Sequence, residues 1–271
     1  MITKKTIKKF NEDGFIIVKN FVQKKKINLI YKQLNTIMDH ILVSNKINFS
    51  KKSSLEEKYL ILKKNNKTLK SHFYDAIKLI DSSNSIVFSD KMINMMKKIL
   101  KINTIFITGQ RLRLDHKSDP HNLPLHQELN NISNDFGLIW IPLVKVNKKT
   151  GSLCVIPKSH KYGHLIYKDS KLPAEKHKVG IVEKILKGTE KKKYDNEIVK
   201  KLFDKKNLFF PKMNAGDALI FKTLVFHGST PYKSSGLRWT LLSTFHPFNK
   251  VPYISNKKSK SFAIPYDADY N

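Results

Sequence analysis

The chain has 271 residues, a formal net charge of +29 and a single cysteine, Cys154. One cysteine excludes intrachain disulfides and thiol-rich metal sites, and no apolar run approaches the roughly 20 residues of a membrane span. The charge invites a nucleic-acid reading, yet only Arg111, Arg113 and Arg238 among the 51 basic residues are arginine. A phosphate-clamping surface favours the bidentate guanidinium, so the scattered lysines read as solvated faces and no specific nucleic-acid partner is expected.

The length suits one domain with a substantial core. Met1-Ile2-Thr3-Lys4-Lys5 enters a charged stretch with no signal-like apolar region, and the terminal Tyr270-Asn271 is no peroxisomal address, so a cytoplasmic protein is expected. The sequence leaves the oligomeric state open.

In chain order, the turn signal Asp13-Gly14 precedes an alternating run from Phe15 to Phe21 that predicts an edge strand. Ile27, Ile30, Tyr31, Leu34, Ile37, Met38 and Ile41 repeat with the helical period. Ser53-Ser54-Leu55-Glu56-Glu57 predicts a capping box opening a second helix, and Ser89 predicts the cap of a third, whose Met92, Met95, Met96 and Ile99 share a core-facing side.

Beyond Asn103 the pattern changes to short β-rich runs: Thr104 to Leu114, Phe136 to Val146, Ser152 to Ile156, Ala218 to Phe226 and Arg238 to Phe245. This order predicts a mainly β barrel or jelly roll with flanking α-helices. We partition the single domain into a helical flank (1–103), a jelly-roll core (104–248) and a C-terminal tail (249–271). A charged insertion, 171–206, is either a lid over the barrel mouth or a solvated connector.

The chemistry concentrates in His126-Gln127-Glu128. On an extended strand, residues two apart share a side, and Pro124 disfavours a helix there. His126 and Glu128 can therefore grip one metal, and His227 downstream supplies a third ligand. Two imidazoles and a carboxylate cover one face of an octahedral ferrous ion and leave the other face open.

The surrounding motifs arrive in one order: Gln110-Arg111-Leu112-Arg113, Leu125 to Glu128, Trp140-Ile141-Pro142-Leu143, Gly151-Ser152-Leu153, Ile156 to His160, Gly216 to Phe221, then His227-Gly228-Ser229 and Arg238. From about Asn11 to about Pro247 the chain resembles the phytanoyl-CoA dioxygenase-like family of iron(II)/2-oxoglutarate oxygenases. That resemblance implies a double-stranded β-helix of the cupin-like jelly-roll type, with His126, Glu128 and His227 as iron ligands. It also implies that Arg238, assisted by Ser229, holds the distal carboxylate of 2-oxoglutarate, with Gln127 and Trp140 in the wall of the cofactor pocket. The implied activity consumes O2 and 2-oxoglutarate, releases succinate and CO2, and hydroxylates a small organic substrate that the sequence does not identify.

Three positions depart from the family pattern: Glu128 stands for the usual Asp, Tyr232 for Asn and Lys158 for Gly. Glu128 excludes a halogenating relative, which needs a small residue there. The longer carboxylate also keeps a non-catalytic small-molecule-binding module on the same fold as the alternative. Arg111 and Arg113 share parity on their strand, so one of them, with Arg113 the candidate for the cofactor pocket, contacts the co-substrate or an anionic substrate; a surface salt bridge is the other reading.

Overall fold

The computed structural model describes residues 2–65, 67–78, 80–118, 123–128, 136–165, 185, 194–230, 232–247 and 264–266, with 67, 108, 109 and 264–266 described as backbone only. Six helices form the N-terminal flank: α1 (Lys4–Asp13), α2 (Lys24–Ser44), α3 (Leu55–Asn65), α4 (Lys67–Ile77), α5 (Asp81–Val87) and α6 (Asp90–Leu100). A short strand, β1 (Phe15–Val18), follows α1. Both capping signals operate: Glu57 N–H donates to Ser54 Oγ at 3.2 Å while Ser54 N–H donates to Glu57 Oε2 at 2.6 Å, and Met92 N–H donates to Ser89 Oγ at 3.2 Å. The methionine stripe of α6 is core, with Met92 and Met96 fully buried.

The strands are β2 (Ile105–Asp115), β3 (Gly137–Pro142), β4 (Leu153–Val155), β5 (Ala218–Lys222), β6 (His227–Ser229), β7 (Arg238–Pro247) and β8 (Ile264–Tyr266). They build an antiparallel sheet of order β1-β5-β3-β7-β2-β8 facing a smaller sheet of β4 and β6, which His126 extends through a bridge to His227. The fold is a double-stranded β-helix, a jelly roll with N-terminal helices outside it. β8 lies in the stretch expected to be a tail, yet it pairs with β2, Ile105 opposite Tyr266.

Alternation divides each strand between two cores. On the outer face of the large sheet, Ile139, Ile141, Ala218, Ile220, Trp239, Leu241 and Phe245 pack with the helices. Leu138, Trp140, Leu219 and Phe221 point the other way and meet Leu153 and Val155 of the small sheet. Not every lysine is solvated: Lys58 of α3 is fully buried, 2.7 Å from Asp39 Oδ1 and donating to Asn35 Oδ1 at 3.0 Å, which locks α3 to α2.

Much of the expected 171–206 insertion lies outside the described residues. The part from Tyr194 onward forms α7 (Glu197–Leu202) and a 3-10 turn at Lys205–Asn207. Val199, Leu202, Phe203 and Leu208 pack with Cys154, Ile156, Leu125 and Phe226. This described part covers the outer side of the small sheet, and the rest of the insertion, on which the choice between lid and connector falls, lies outside the described residues. No described helix is long and apolar enough to cross a membrane.

Candidate metal centre

His126 and His227 are antiparallel partners, with His126 N–H donating to His227 O at 2.9 Å and His227 N–H to His126 O at 3.0 Å. Such pairing places both imidazoles on one face, their ring centroids 4.3 Å apart. The strand segments approach closely because Gly228 lies between the histidine and the serine of β6. A Cβ there would come within 2.9 Å of Pro124 O and 3.1 Å of Leu125 N, so a side chain would push the His126 segment away.

Each imidazole has a fixed tautomer. His126 Nδ1 lies 2.7 Å from Pro124 O and His227 Nδ1 lies 3.0 Å from Val225 O. A carbonyl only accepts, so both Nδ1 atoms carry the hydrogen and both Nε2 lone pairs are presented to the pocket. Glu128 is placed by its own N–H, which donates to Thr223 O at 3.1 Å. Its Oε1 lies 3.5 Å from His227 Nε2 and 4.0 Å from His126 Nε2.

The three ligand-type atoms lie within 4.8 Å of one another. Cis ligands on an octahedral ion at metal–ligand lengths of ~2.1 Å stand ~3 Å apart, so side-chain adjustments of an ångström or so would close the set on a metal. Burial works against ionisation of Glu128, but the facing imidazoles in their protonated form, with an Nε2 hydrogen of His227 directed at the carboxylate, and the charge of Arg111 prevail and hold its pKa at about 2; a bound metal would take the place of that Nε2 hydrogen. The site therefore offers an ionised carboxylate and two neutral-nitrogen lone pairs, a donor set that fits a divalent ion.

Gln127 points the opposite way, as alternation requires. Its Nε2 donates to Gly163 O and to Leu224 O, both at 2.8 Å, and its Oε1 accepts from Leu165 N–H at 2.9 Å. The structure thus places it behind the ligand strand as a backbone brace, away from the pocket wall expected of it. Trp140 does face inward, opposite Leu219 and Leu242 on its neighbouring strands. Ser229 is buried and shares the His227 face of β6.

Arg238 opens β7, buried, on the inner face. Its Nε donates to Asp115 Oδ2 at 3.3 Å, Nη2 approaches the same oxygen at 2.9 Å, and Nη1 donates to Gly151 O. A guanidinium has five N–H donors in a rigid fork, so one hydrogen on each terminal nitrogen remains for a second carboxylate. Tyr232 flanks it, its ring centroid 5.3 Å from the guanidinium carbon and its hydroxyl donating to Ser235 O at 3.0 Å. The tyrosine that departs from the family pattern is a cation–π support.

Lys158, the second departure, sits at φ 65°. That left-handed geometry is one glycine adopts freely, at a cost to lysine of ~1–2 kcal/mol.

Sequence reasoning missed Asp115. Its only local signal is the alternation Arg111-x-Arg113-x-Asp115, and its partner Arg238 stands directly opposite on β7, far along the chain. Arg113 is mostly buried, its Nε 3.8 Å from the same Asp115 Oδ2. Helices α1, α4 and α5 also escaped the sequence reading.

Comparison with known proteins follows the fold. EctD from S. alaskensis, solved with 2-oxoglutarate and 5-hydroxyectoine, matches at 12% identity and a TM-score of 0.60, over 92% of this chain and 77% of that one. The epimerase SnoN, solved in complex with Fe3+, alpha ketoglutarate and nogalamycin RO, matches at 11% and 0.55 over 90% and 83%. The non-heme monooxygenase ThoJ matches at 11% and 0.57 over 89% and 76%. At these identities the likeness is one of fold. None of the curated proteins matches the chain. The family profile described as phytanoyl-CoA dioxygenase (PhyH) matches residues 10–240.

Proposed function

Because the chain belongs to the phytanoyl-CoA dioxygenase (PhyH) family, we propose that it is an iron(II)- and 2-oxoglutarate-dependent dioxygenase that hydroxylates a small organic substrate. The observation that carries this reading is the trio His126, Glu128 and His227, gathered within 4.8 Å with both imidazoles locked by backbone carbonyls. The chemistry that the ferrous ion and 2-oxoglutarate supply when bound is O2 activation, coupled to decarboxylation of the co-substrate to succinate and CO2.

The protein's own residues position and insulate. His126 Nε2, His227 Nε2 and the Glu128 carboxylate would hold the ion, and three protein ligands would leave room for the co-substrate. Arg238 would offer its two remaining terminal hydrogens to the distal carboxylate of 2-oxoglutarate, with Ser229, buried on the His227 face of β6, as the assisting hydroxyl. Asp115 and Gly151 O fix that fork in advance, so little side-chain entropy is lost on binding. Trp140, Phe221 and Leu138 line the interior and keep it dry, which strengthens every charge interaction within it.

Anaerobic titration of the purified chain with Fe(II) and then 2-oxoglutarate, followed by succinate measurement in air, tests the assignment. About one iron per chain is expected, and His227→Ala should lose both iron and turnover. Equal iron content and equal succinate release in wild type and His227→Ala would eliminate the site. A wild type as inert as Glu128→Ala, with turnover appearing in Glu128→Asp, would favour the non-catalytic binding module instead.

A further inference from the structure

The inner face of β2 carries more positive charge than the metal centre and 2-oxoglutarate account for, and the surplus has one address. Between Thr108 and Arg111 the pairing of β2 with β7 slips: Thr108 stands opposite Thr244, yet Arg111 stands opposite Leu242. One residue of β7 is thus faced by two on β2, a β-bulge of the kind that aims side chains beside active sites. Ahead of the bulge Ile105 and Ile107 face the outer helices, as do Leu112 and Leu114 after it. Uninterrupted alternation from Ile107 would have turned Arg111 outward. The extra residue turns Arg111, Arg113 and Asp115 inward, while Gln110 remains outside, its Nε2 3.4 Å from Ser83 Oγ of α5.

Every arginine of the chain therefore faces the interior of the jelly roll. Arg238 is bonded to Asp115, and Arg113 lies 3.8 Å from the same carboxylate. Arg111 is different: it is exposed, and no ion pair to it forms among the described residues. Among the described residues, three guanidiniums confront two carboxylates, Asp115 and Glu128. Because a ferrous ion and a 2-oxoglutarate dianion would cancel, the described lining of a loaded pocket would keep one positive charge. Arg111 also stands in an inner rung that runs through Leu242 to Trp140, so its cationic fork adjoins an apolar strip. It shares the inner face of β2 with Arg113 and with Asp115, the residue that holds Arg238, which sets it on the pocket side of the sheet rather than on a remote surface.

Resting on the oxygenase reading of this site, we propose that Arg111 selects the primary substrate: an organic anion, carboxylate or phosphate, whose hydrocarbon part lies along Leu242 and Trp140. The guanidinium pairs bidentately with either anion. The overall charge of +29 attracts anionic substrates to the protein as a whole.

Isothermal calorimetry without oxygen, on protein loaded with Fe(II) and 2-oxoglutarate, tests this with hexanoate, hexyl phosphate and hexanamide as probes. Wild type should bind at least one anion ten or more times tighter than the amide, and the preferred anion identifies carboxylate or phosphate. Arg111→Gln should bring the anions to the affinity of the amide, and Arg111→Lys should keep part of the preference. Anion and amide bound alike, no binding of any probe, or a preference that survives in Arg111→Gln would overturn the proposal. So would a tenfold loss of 2-oxoglutarate affinity in Arg111→Gln, which would make the arginine a co-substrate residue. Failure of wild type to take up iron and 2-oxoglutarate would sink the oxygenase reading together with this inference, whereas normal loading without anion preference would sink the inference alone.

Discussion

Strands β2 and β7 present opposite chemistry on their two faces. Outward, Leu112, Leu114, Trp239, Leu241 and Phe245 are buried beneath the helices. Inward, Arg113 and Asp115 stand opposite Thr240 and Arg238 across the same ladder, and Arg111 stands opposite Leu242. The outer face is stabilised by area removed from water and tolerates any well-packed hydrocarbon. The inner face is a network in which each charge is acceptable only because of where its neighbour stands. One backbone serves both because the side-chain period is two, so whatever shifts the register exchanges the two chemistries.

The largest expected effect comes from forcing that exchange. Deleting Leu112 leaves Arg111 inward but turns Arg113 and Asp115 toward the helices, burying charge in an apolar layer, so the protein should fail to fold. Deleting Gly109 is the contrast: it heals the bulge and leaves Arg111, Leu112 and their partners on their present faces. Soluble expression and thermal melts should show a folded protein for the Gly109 deletion and none for the Leu112 deletion. Equal behaviour of the two would mean that the bulge does not divide the strand as described.

Next in size is Trp239→Ala, which attacks the outer face alone. Trp239 is fully buried, its ring 6.0 Å from that of Phe73 in an edge-on contact. Removing it should cost ~3–5 kcal/mol by chemical denaturation. Iron and 2-oxoglutarate affinities of the folded fraction should stay within about twofold, because Arg238 is held by Asp115 and Gly151, not by its neighbour's indole. A parallel loss of co-substrate affinity would show that the two faces are coupled.

Legibility in the sequence follows the same division. The outer core of α2 and α6 could be read because one-sided burial writes a period of 3.6 residues. The ligand trio was readable because His126 and Glu128 lie two apart on one strand and His227 lies among recognisable neighbours. Asp115 was not, since an ion pair with Arg238 depends on the register of strands more than a hundred residues apart. The bulge was equally hidden: Thr108-Gly109 carries no mark that distinguishes it from any strand interruption. Gln127 was misplaced because adjacency to two ligand-type residues says nothing of facing the same way, and alternation says the reverse. Strand β8 was missed because sheet-edge pairing needs little hydrophobic pattern.

A subtler contrast lies along the inner face itself. At one end of β7 Arg238 is charged and paired, whereas at the other His246 is buried against Phe136, the ring centroids 4.4 Å apart. Burial disfavours its imidazolium and lowers its pKa to about 4. The unfolded chain, with an ordinary histidine near 6.5, then binds more protons than the folded one at intermediate pH. Stability contributed by keeping His246 neutral is complete above pH ~6.5 and is lost as pH falls toward ~4, by about 3 kcal/mol in all. Urea melts at pH 7 and pH 5 should show wild type losing more stability than His246→Phe. Parallel losses would place the acid sensitivity elsewhere.

The smallest expected effect bears on what the inner network is for. Arg238 spends its Nε, one Nη2 hydrogen and one Nη1 hydrogen on Asp115 and Gly151, and only a planar fork has two further parallel donors to offer. Lysine would preserve the positive charge beside Asp115 and so spare most of the stability that an alanine would forfeit by stranding a buried carboxylate. A single ammonium cannot serve Asp115, Gly151 and a ligand carboxylate in bidentate geometry at once. Arg238→Lys should therefore fold with a melting temperature close to that of wild type, yet bind 2-oxoglutarate more weakly by about 1–3 kcal/mol in anaerobic calorimetry. A variant that keeps full affinity would mean that the co-substrate carboxylate is held elsewhere on this face, with Arg113, already close to Asp115, the next guanidinium to replace.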